Sequence, residues 1–478
     1  MHQVAPDRSW PLFDVAATRR IEQAAQAALP PFTLMQRAGL ATARLALAIA
    51  PHARRIWIAC GPGNNGGDGL EAATHLAAWG KEAVVTLAGD PAALPADAKR
   101  AWERLRQAGL DLAPAPPHDC DLCIDALLGI GAARPLQGGL AAAAQAMAGV
   151  GRPVLAIDVP SGLHADTGAG LAVRATHTLA LLTLKPGLFT AGGRDAAGQV
   201  WFDDLEVPAG PEAPCALLAG PPLAQPRLHA SHKGSYGDVA VIGGAPGMAG
   251  AALLAASAAL HAGAGRVYLA PLDPAAARLA PGLPELMLRD WSSLPLPSLA
   301  VACGCGGGTA VADVLPQVLP QAASLVLDAD ALNAVAAQAD LQALLRARSQ
   351  RSLPTVLTPH PLEAARLLGT STPAVQADRL AAAQALAARY ACVVVLKGSG
   401  TVIAAPGQPP AINPTGSARL ATGGTGDVLA GWIAALLAHG LPAFEAGQAA
   451  VFRHGQLADR WPAGEPLVAG ALAARAGG

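Results

Sequence analysis

Both halves of this 478-residue chain repeat one pattern. A short run of β-branched and apolar residues is followed by a glycine turn and then by a longer amphipathic segment. In the first half RIWIAC (55–60), VVTLAG (84–89), DLCIDALLG and VLAIDVPSG have this strand character, and 70–79, closed by Gly80, has helical spacing. In the second half DVAVIGG, RVYLAP, SLAVACG, SLVLDAD, TVLTPH and CVVVLKG repeat it. Strands alternating with helices specify βαβ units and largely parallel sheets, an α/β class. Ligands of such sheets sit at the carboxyl ends of the strands, which is where the glycine and acidic motifs fall in both halves. The segment 208–226, PAGPEAPCALLAGPPLAQP, is rich in proline and small residues and reads as a linker. Two α/β domains are therefore expected, 1–215 and 225–478.

Composition narrows the classes of function. Lys+Arg is 33 against Asp+Glu 34, so nothing points to a nucleic acid or an anionic membrane as a bulk partner. The opening MHQVAPDRSWPLFDVAATRR has no apolar core behind a basic flank. The longest strongly apolar run, Val428 to Ala438, is shorter than the ~20 residues a bilayer needs. A cytoplasmic protein is expected. The seven cysteines are scattered and odd in number, and Cys120 and Cys123 form a lone C-x-x-C. With no second pair or nearby histidine to complete a metal site, reduced buried thiols are expected.

GPGNNGGDG (61–69) lies between a strand and a helical run. Its glycines can adopt positive φ and let the backbone approach a ligand. Amide N–H groups at the following helix start can hold phosphate, and Asn64, Asn65 and Asp68 add side-chain donors and acceptors. It is neither a dinucleotide fingerprint nor a P-loop. DALLGIGAARP starts at Asp125 and AIDVPSGLHADTG carries Asp158 and Ser161. Asn65, Asp125 and Ser161 offer hard oxygens suited to a cation other than zinc.

In the second half GGTGD (423–427) precedes Val428, Leu429, Trp432, Ile433, Leu436 and Leu437 at helical spacing, with Gly440 and Pro442 as stop signals. Gly423 to Gly426 should sit at a helix N-terminus with N–H groups aimed at an anion. Asp427 falls on the first turn, where a carboxylate can take a proton from an attacking hydroxyl. The neighbouring amides can stabilise a transferring phosphoryl group.

The order GPGNNGGDG, DALLGIG, DVPSG and LKPGL (184–188) resembles the NAD(P)H-hydrate epimerase domain of the YjeF N-terminal family, over most of 10–205. The resemblance implies a Rossmann-like three-layer αβα sandwich that interconverts the R and S hydrates at C6 of reduced nicotinamide. It implies that Asn64, Asn65, Gly66, Gly67, Asp68, Gly129, Ile130, Gly131, Ala132, Ala133, Arg134, Pro135 and Asp158 hold the hydrate. It places a potassium ion (K+) on Asn65, Asp125 and Ser161. The chemistry needs a group that protonates the leaving hydroxyl and activates water. Asp158 is the candidate, with Lys185 as proton partner or electrostatic clamp.

GTGD before a helix is similar to the ribokinase-like fold. With HKGSYGDVAVIGG (from His232), the run 247–267, DADALN (328–333), TPHPLEAARLLG (358–369) and LKGSGTVI (396–403), it resembles the NAD(P)H-hydrate dehydratase domain of the YjeF C-terminal family over 230–470. By that resemblance Ala251, Gly306, His360 and Asp427 contact the hydrate, and Lys397, Gly398, Ser399, Gly400, Thr401 and Gly426 contact an adenine nucleotide. Asp427 is the catalytic base. The implied route phosphorylates the C6 hydroxyl from ADP, or ATP, with Mg2+ present, and then expels phosphate. The implied substrates are hydrated NADH and NADPH (NADHX and NADPHX), and a homo-oligomer is expected. The chain departs from the family in GCGGG (304–308) for Gly-Pro-Gly-Leu-Gly, in Leu362 for glycine and in Ser417 for asparagine. The competing expectation is a ribokinase-like kinase of a small alcohol, joined to a nucleotide-binding module without catalysis.

Overall fold

The computed structural model describes residues 1–131, 135–223, 228–273, 275–276 and 282–477. Its contacts gather into two compact units, 1–5 with 10–216 and 6–9 with 217–478. Each is mixed α/β, as the alternation of strands and helices requires.

The first unit is built on a seven-stranded sheet. Its order is His2–Gln3, Gln199–Asp203, His177–Leu181, Val154–Ile157, Leu122–Ala126, Arg55–Cys60, Glu82–Leu87. The pairings are parallel except that of the short first strand. The central strands Leu122–Ala126 and Val154–Ile157 are buried at every position. Unbroken burial is what a parallel sheet covered on both faces demands, and it explains the continuous apolar runs.

The helix after the first glycine motif starts at Asn64, not near Leu70, and runs to Ala78. Gly66, Gly67 and Gly69 are therefore helical, and none of these glycines has positive φ. Their task is contact. A Cβ on Gly66 would lie 1.9 Å from the Gly61 carbonyl oxygen, and one on Gly69 would lie 2.6 Å from Ala126 Cβ and 2.9 Å from Cys60 Sγ. The missing side chains bring the helix down onto its sheet.

The second unit carries parallel strands in the order Met287–Leu288, Arg266–Pro271, Asp238–Gly243, Ala300–Cys303, Ser324–Leu327, Thr355–Leu357, Val393–Leu396. The antiparallel Val402–Ala404 and Ala411–Ile412 follow. Leu217 and Leu218 pair with Ala411 and Ile412, so part of the expected linker is strand. Its residues 224–226 lie outside the described residues. The helix Thr425–Ala438 is buried over nearly its whole circumference, as an almost wholly apolar helix must be. It packs on the alanine-rich helix Ala249–His261. Among the described residues no helix is long and apolar enough to cross a membrane.

Candidate active sites

In the first unit a cavity of about 760 Å³ opens at the carboxyl ends of the strands. The start of the helix Asn64–Ala78 forms one wall, with Gly63, Asn64, Asn65 and Asp68 lining it. No side chain caps this helix end, so its first amides are available to an anion. Gly129, Ile130 and Gly131 form a second wall. Pro135 is exposed, and Ala132, Ala133 and Arg134 lie outside the described residues.

Asp158 and Lys185 line the same cavity. Asp158 follows the strand Val154–Ile157 with a left-handed φ of 68°, a region that aspartate tolerates better than most side chains. Lys185 Nζ pairs with Asp158 Oδ1 and also donates to Leu181 O at 2.7 Å. The amides of Ile130 and Leu181 reach the Asp158 carboxylate at 3.4 and 3.5 Å. Lys185 is fully buried, so it is no solvated lysine after a strand.

Asp125 and Ser161 lie together behind this wall, both fully buried. Ser161 Oγ donates to Asp125 Oδ1 at 2.6 Å, and Ser161 N donates to Oδ2 at 2.8 Å. Leu128, which lines the cavity, donates its N–H to Ser161 Oγ at 2.8 Å. Burial pushes the Asp125 carboxyl up against the Ser161 and Leu127 bonds that lower it. Asn65 stands beside Gly129: a Cβ there would lie 3.3 Å from Asn65 Oδ1. Asp68 is held well above the usual carboxylate range, first by burial and then by the charges of Asp158 and Glu22.

In the second unit four neighbouring parallel strands end side by side, so the residues that follow them converge. Lys397 Nζ donates to Asp328 Oδ1 at 2.5 Å, and Thr358 Oγ1 donates to the same oxygen at 2.7 Å. Burial alone would lower the Lys397 ammonium, but Asp328 and Glu363 outweigh it and hold it above its ordinary value. The helix Thr425–Ala438 starts over these strand ends. Gly424 supplies its cap at φ 92°, and a Cβ on Gly426 would lie 3.3 Å from Lys397 Nζ. Asp427, Asp328 and Cys305 bring two carboxylates and a thiol within 4.8 Å of one another. Asp427 is only partly buried. Its carboxyl is pushed up to about 6, by burial first and then by Asp328. His454, from the helix Ala443–Asp459, places Nε2 3.0 Å from Thr425 O.

Two family models match the chain: one described as NAD(P)H-hydrate dehydratase over 239–476, the other as YjeF-related protein N-terminus over 31–187. The Escherichia coli (strain K12) protein named bifunctional NAD(P)H-hydrate repair enzyme Nnr is 36% identical over 472 residues, covering 95% of this chain and 90% of that one. The Coxiella burnetii protein of the same name is 36% identical over 470 residues, 94% of each chain. The chain belongs to the bifunctional NAD(P)H-hydrate repair enzymes. A solved ADP/ATP-dependent NAD(P)H-hydrate dehydratase from Bacillus subtilis, co-crystallised with ATP/Mg2+, is 31% identical, covers 53% of this chain and 92% of that one, and has a TM-score of 0.45.

The remaining expected site residues of this repair enzyme fall as follows. Gly306 and Ala251 are neighbours, since a Cβ on Gly306 would lie 2.9 Å from Ala251 Cβ. His360 follows the strand Thr355–Leu357, but its ring is engaged in capping. Nδ1 accepts from Leu362 N at 3.1 Å, and Nε2 lies 3.2 Å from Glu363 Oε1. Lys397 sits at the Asp427 cluster itself. Gly398 has φ 134° over the buried Arg379, whose Nη2 donates to Leu396 O and Lys397 O at 3.1 Å. Ser399 is exposed and Thr401 half-buried beyond it. Cys305, Arg379 and His454 carry no local signal in the sequence: each matters through a contact with a distant segment.

Both expected cations suit the residues present. For Mg2+, Asp328 Oδ2 is a hard donor. Burial and then the charges of Asp328 and Asp427 hold the Cys305 thiol well above its ordinary value, so it stays protonated. For K+, Asp125, Ser161 and Asn65 supply oxygens. Asn65 Nδ2 is buried without a hydrogen-bond partner, and turning the carboxamide over would put its oxygen there.

Proposed function

We propose that residues 1–216 interconvert the R and S hydrates of NADH and NADPH at C6, and that residues 217–478 dehydrate the S form using ADP or ATP. One observation carries the dehydratase assignment: a carboxylate with a raised pKa, Asp427, stands at the glycine-lined start of a helix, beside the Lys397–Asp328 pair.

Water is a poor leaving group and phosphate a far better one. Asp427 takes the proton of the C6 hydroxyl as it attacks the terminal phosphoryl group. The amides of the Gly424 turn and the Lys397 ammonium stabilise charge on that group. Asp328 orients Lys397, and Thr358 orients Asp328. The ring nitrogen then pushes phosphate off C6, a C5 proton passes to the departing phosphate as the C5–C6 double bond forms, and the dihydropyridine is restored. Mg2+ held at Asp328 would neutralise phosphate charge. Gly306 and Ala251 would bound the hydrate, and Gly398 to Thr401 the nucleotide.

In the first unit the uncapped start of the helix Asn64–Ala78 would receive the phosphates. Asp158, oriented by Lys185, would exchange protons with the C6 hydroxyl. K+ held by Asn65, Asp125 and Ser161 would fix the Leu127–Gly129 wall.

The test is to incubate the protein with mixed epimers, Mg2+ and ADP or ATP, and follow the return of reduced-nicotinamide absorbance. Asp427→Ala should abolish that return while the R and S forms still interconvert. Nucleotide consumption with a small vitamin-precursor alcohol, and none with the hydrates, would overturn the assignment.

A further inference from the structure

Epimerisation makes a stereochemical demand that Asp158 alone does not meet. For C6 to invert, hydroxide must leave from one face of the ring and water must add to the other. A proton is given on the first face and taken on the second. Asp158 is fixed by Lys185 and by the amides of Ile130 and Leu181, so it cannot serve both faces of a bound ring.

The same cavity holds another carboxyl group, on a different element. Glu22 lines it from the helix Val15–Ala28 and is half-buried. Burial first, and then the Asp158 charge, raise its carboxyl above the ordinary range, against Lys185 and Arg19. Two further carboxyls line the cavity. Asp97 forms an ion pair with Arg100 at 3.8 Å. Asp68 sits on the first turns of the helix Asn64–Ala78, among the amides that would receive phosphate, and interacts with both Asp158 and Glu22. Glu22 is the acid free of either task.

Resting on the epimerase reading above, we propose that Glu22 is the second proton-transfer group of that reaction. In one direction the Glu22 carboxylic acid protonates the C6 hydroxyl, the C6–O bond breaks, and the electron pair leaves with water. The ring-nitrogen lone pair stabilises the cation. The Asp158 carboxylate then takes a proton from a water that bonds to C6 on the other face. The hydrate is inverted, and one proton has passed from Glu22 to Asp158. The reverse direction returns it.

The experiment uses the full chain and separated R and S hydrates in ¹⁸O-labelled water. Wild type should interconvert them with label entering the C6 hydroxyl. Glu22→Gln, which keeps shape but cannot transfer the proton, should lower kcat by about 10²-fold or more, with KM changed far less. In the direction in which Glu22 is the acid, it should also lose the alkaline limb of the pH profile, the limb on which the acid form disappears. Glu22→Asp should restore that limb at a reduced rate. Dehydration of the S hydrate by the same samples reports that the chain is folded. Interconversion by Glu22→Gln within about threefold of wild type, or slowing with an unchanged pH profile, overturns the proposal. A wild type that dehydrates but does not interconvert overturns the epimerase reading itself.

Discussion

Asp427 must be ionised to act as a base, and its carboxyl stands at about 6. Dehydration should therefore fall about tenfold per pH unit once pH drops below the value this carboxyl has with Mg2+ and nucleotide bound, and initial rates from pH 7 downward will locate it. Asp427→Asn should lower kcat by roughly 10²-fold or more at neutral pH. The same shift acts on stability with a definite sign. An unfolded aspartate titrates near 3.9. The folded chain binds this proton more tightly, so the contribution favours folding below about pH 4 and is lost as pH rises through about 6. Asp427→Asn should accordingly melt above wild type near pH 8, with the difference vanishing toward pH 4, in calorimetric scans. A variant that melted below wild type near pH 8, with the difference vanishing toward pH 4, would mean that the carboxylate is held by its neighbours more than burial disfavours it. Asp427, Asp158 and Lys185 were legible as site candidates because each closes a local motif at a strand end or helix start. Glu22, Cys305, Arg379 and His454 were not, since a lone residue in an apolar or irregular run gives no sign of what packs against it. His360, expected from TPHPLE at a ligand, also caps the helix that follows it.

Elements were legible where pattern and packing agree, and misread where they conflict. Strand runs such as RIWIAC are fully apolar because the parallel sheets are covered on both faces. The start of the helix Asn64–Ala78 was misplaced because glycine disfavours a helix by about 1 kcal/mol, while this helix needs glycine to reach its sheet. Two helix glycines separate these effects. Gly149, near the end of the helix Gly138–Val150, has open space where a Cβ would go. Gly149→Ala should therefore stabilise, by up to about 1 kcal/mol. Gly431, in the helix Thr425–Ala438, would place a Cβ 1.9 Å from Ala255 O. Relieving that overlap means separating two packed helices, typically at about 1–3 kcal/mol, and propensity should lose. Gly431→Ala should lower the melting temperature and, by shifting the helix that carries Asp427, weaken dehydration as well. Denaturant titrations of the two variants will give opposite signs if packing decides.

At the scale of the whole molecule, the α/β class and two-part organisation followed from the alternation of strands and helices. The proline-rich segment marked the division only coarsely, because Leu217 and Leu218 are recruited as a strand. The two chemistries have separate requirements. The groups proposed for dehydration come from strand ends and a helix start within 217–478, and the cavity proposed for epimerisation is lined by residues between Thr18 and Leu205. If the hydrate diffuses freely from one site to the other, neither reaction needs both sites on the same chain. Full-length Asp427→Ala should then carry out only epimerisation, and full-length Asp158→Ala only dehydration. Given a mixture of epimers, Asp158→Ala alone should consume the S form and stall, leaving the R form on the enzymatic time scale. Adding Asp427→Ala, itself unable to regenerate reduced nicotinamide, should restart the reaction and carry it to completion. The restart rate should rise with the amount of Asp427→Ala added, up to the limit set by dehydration. A mixture that stays stalled, while wild type at equal concentration completes the reaction, would mean that the inverted hydrate must reach Asp427 without leaving the chain that made it.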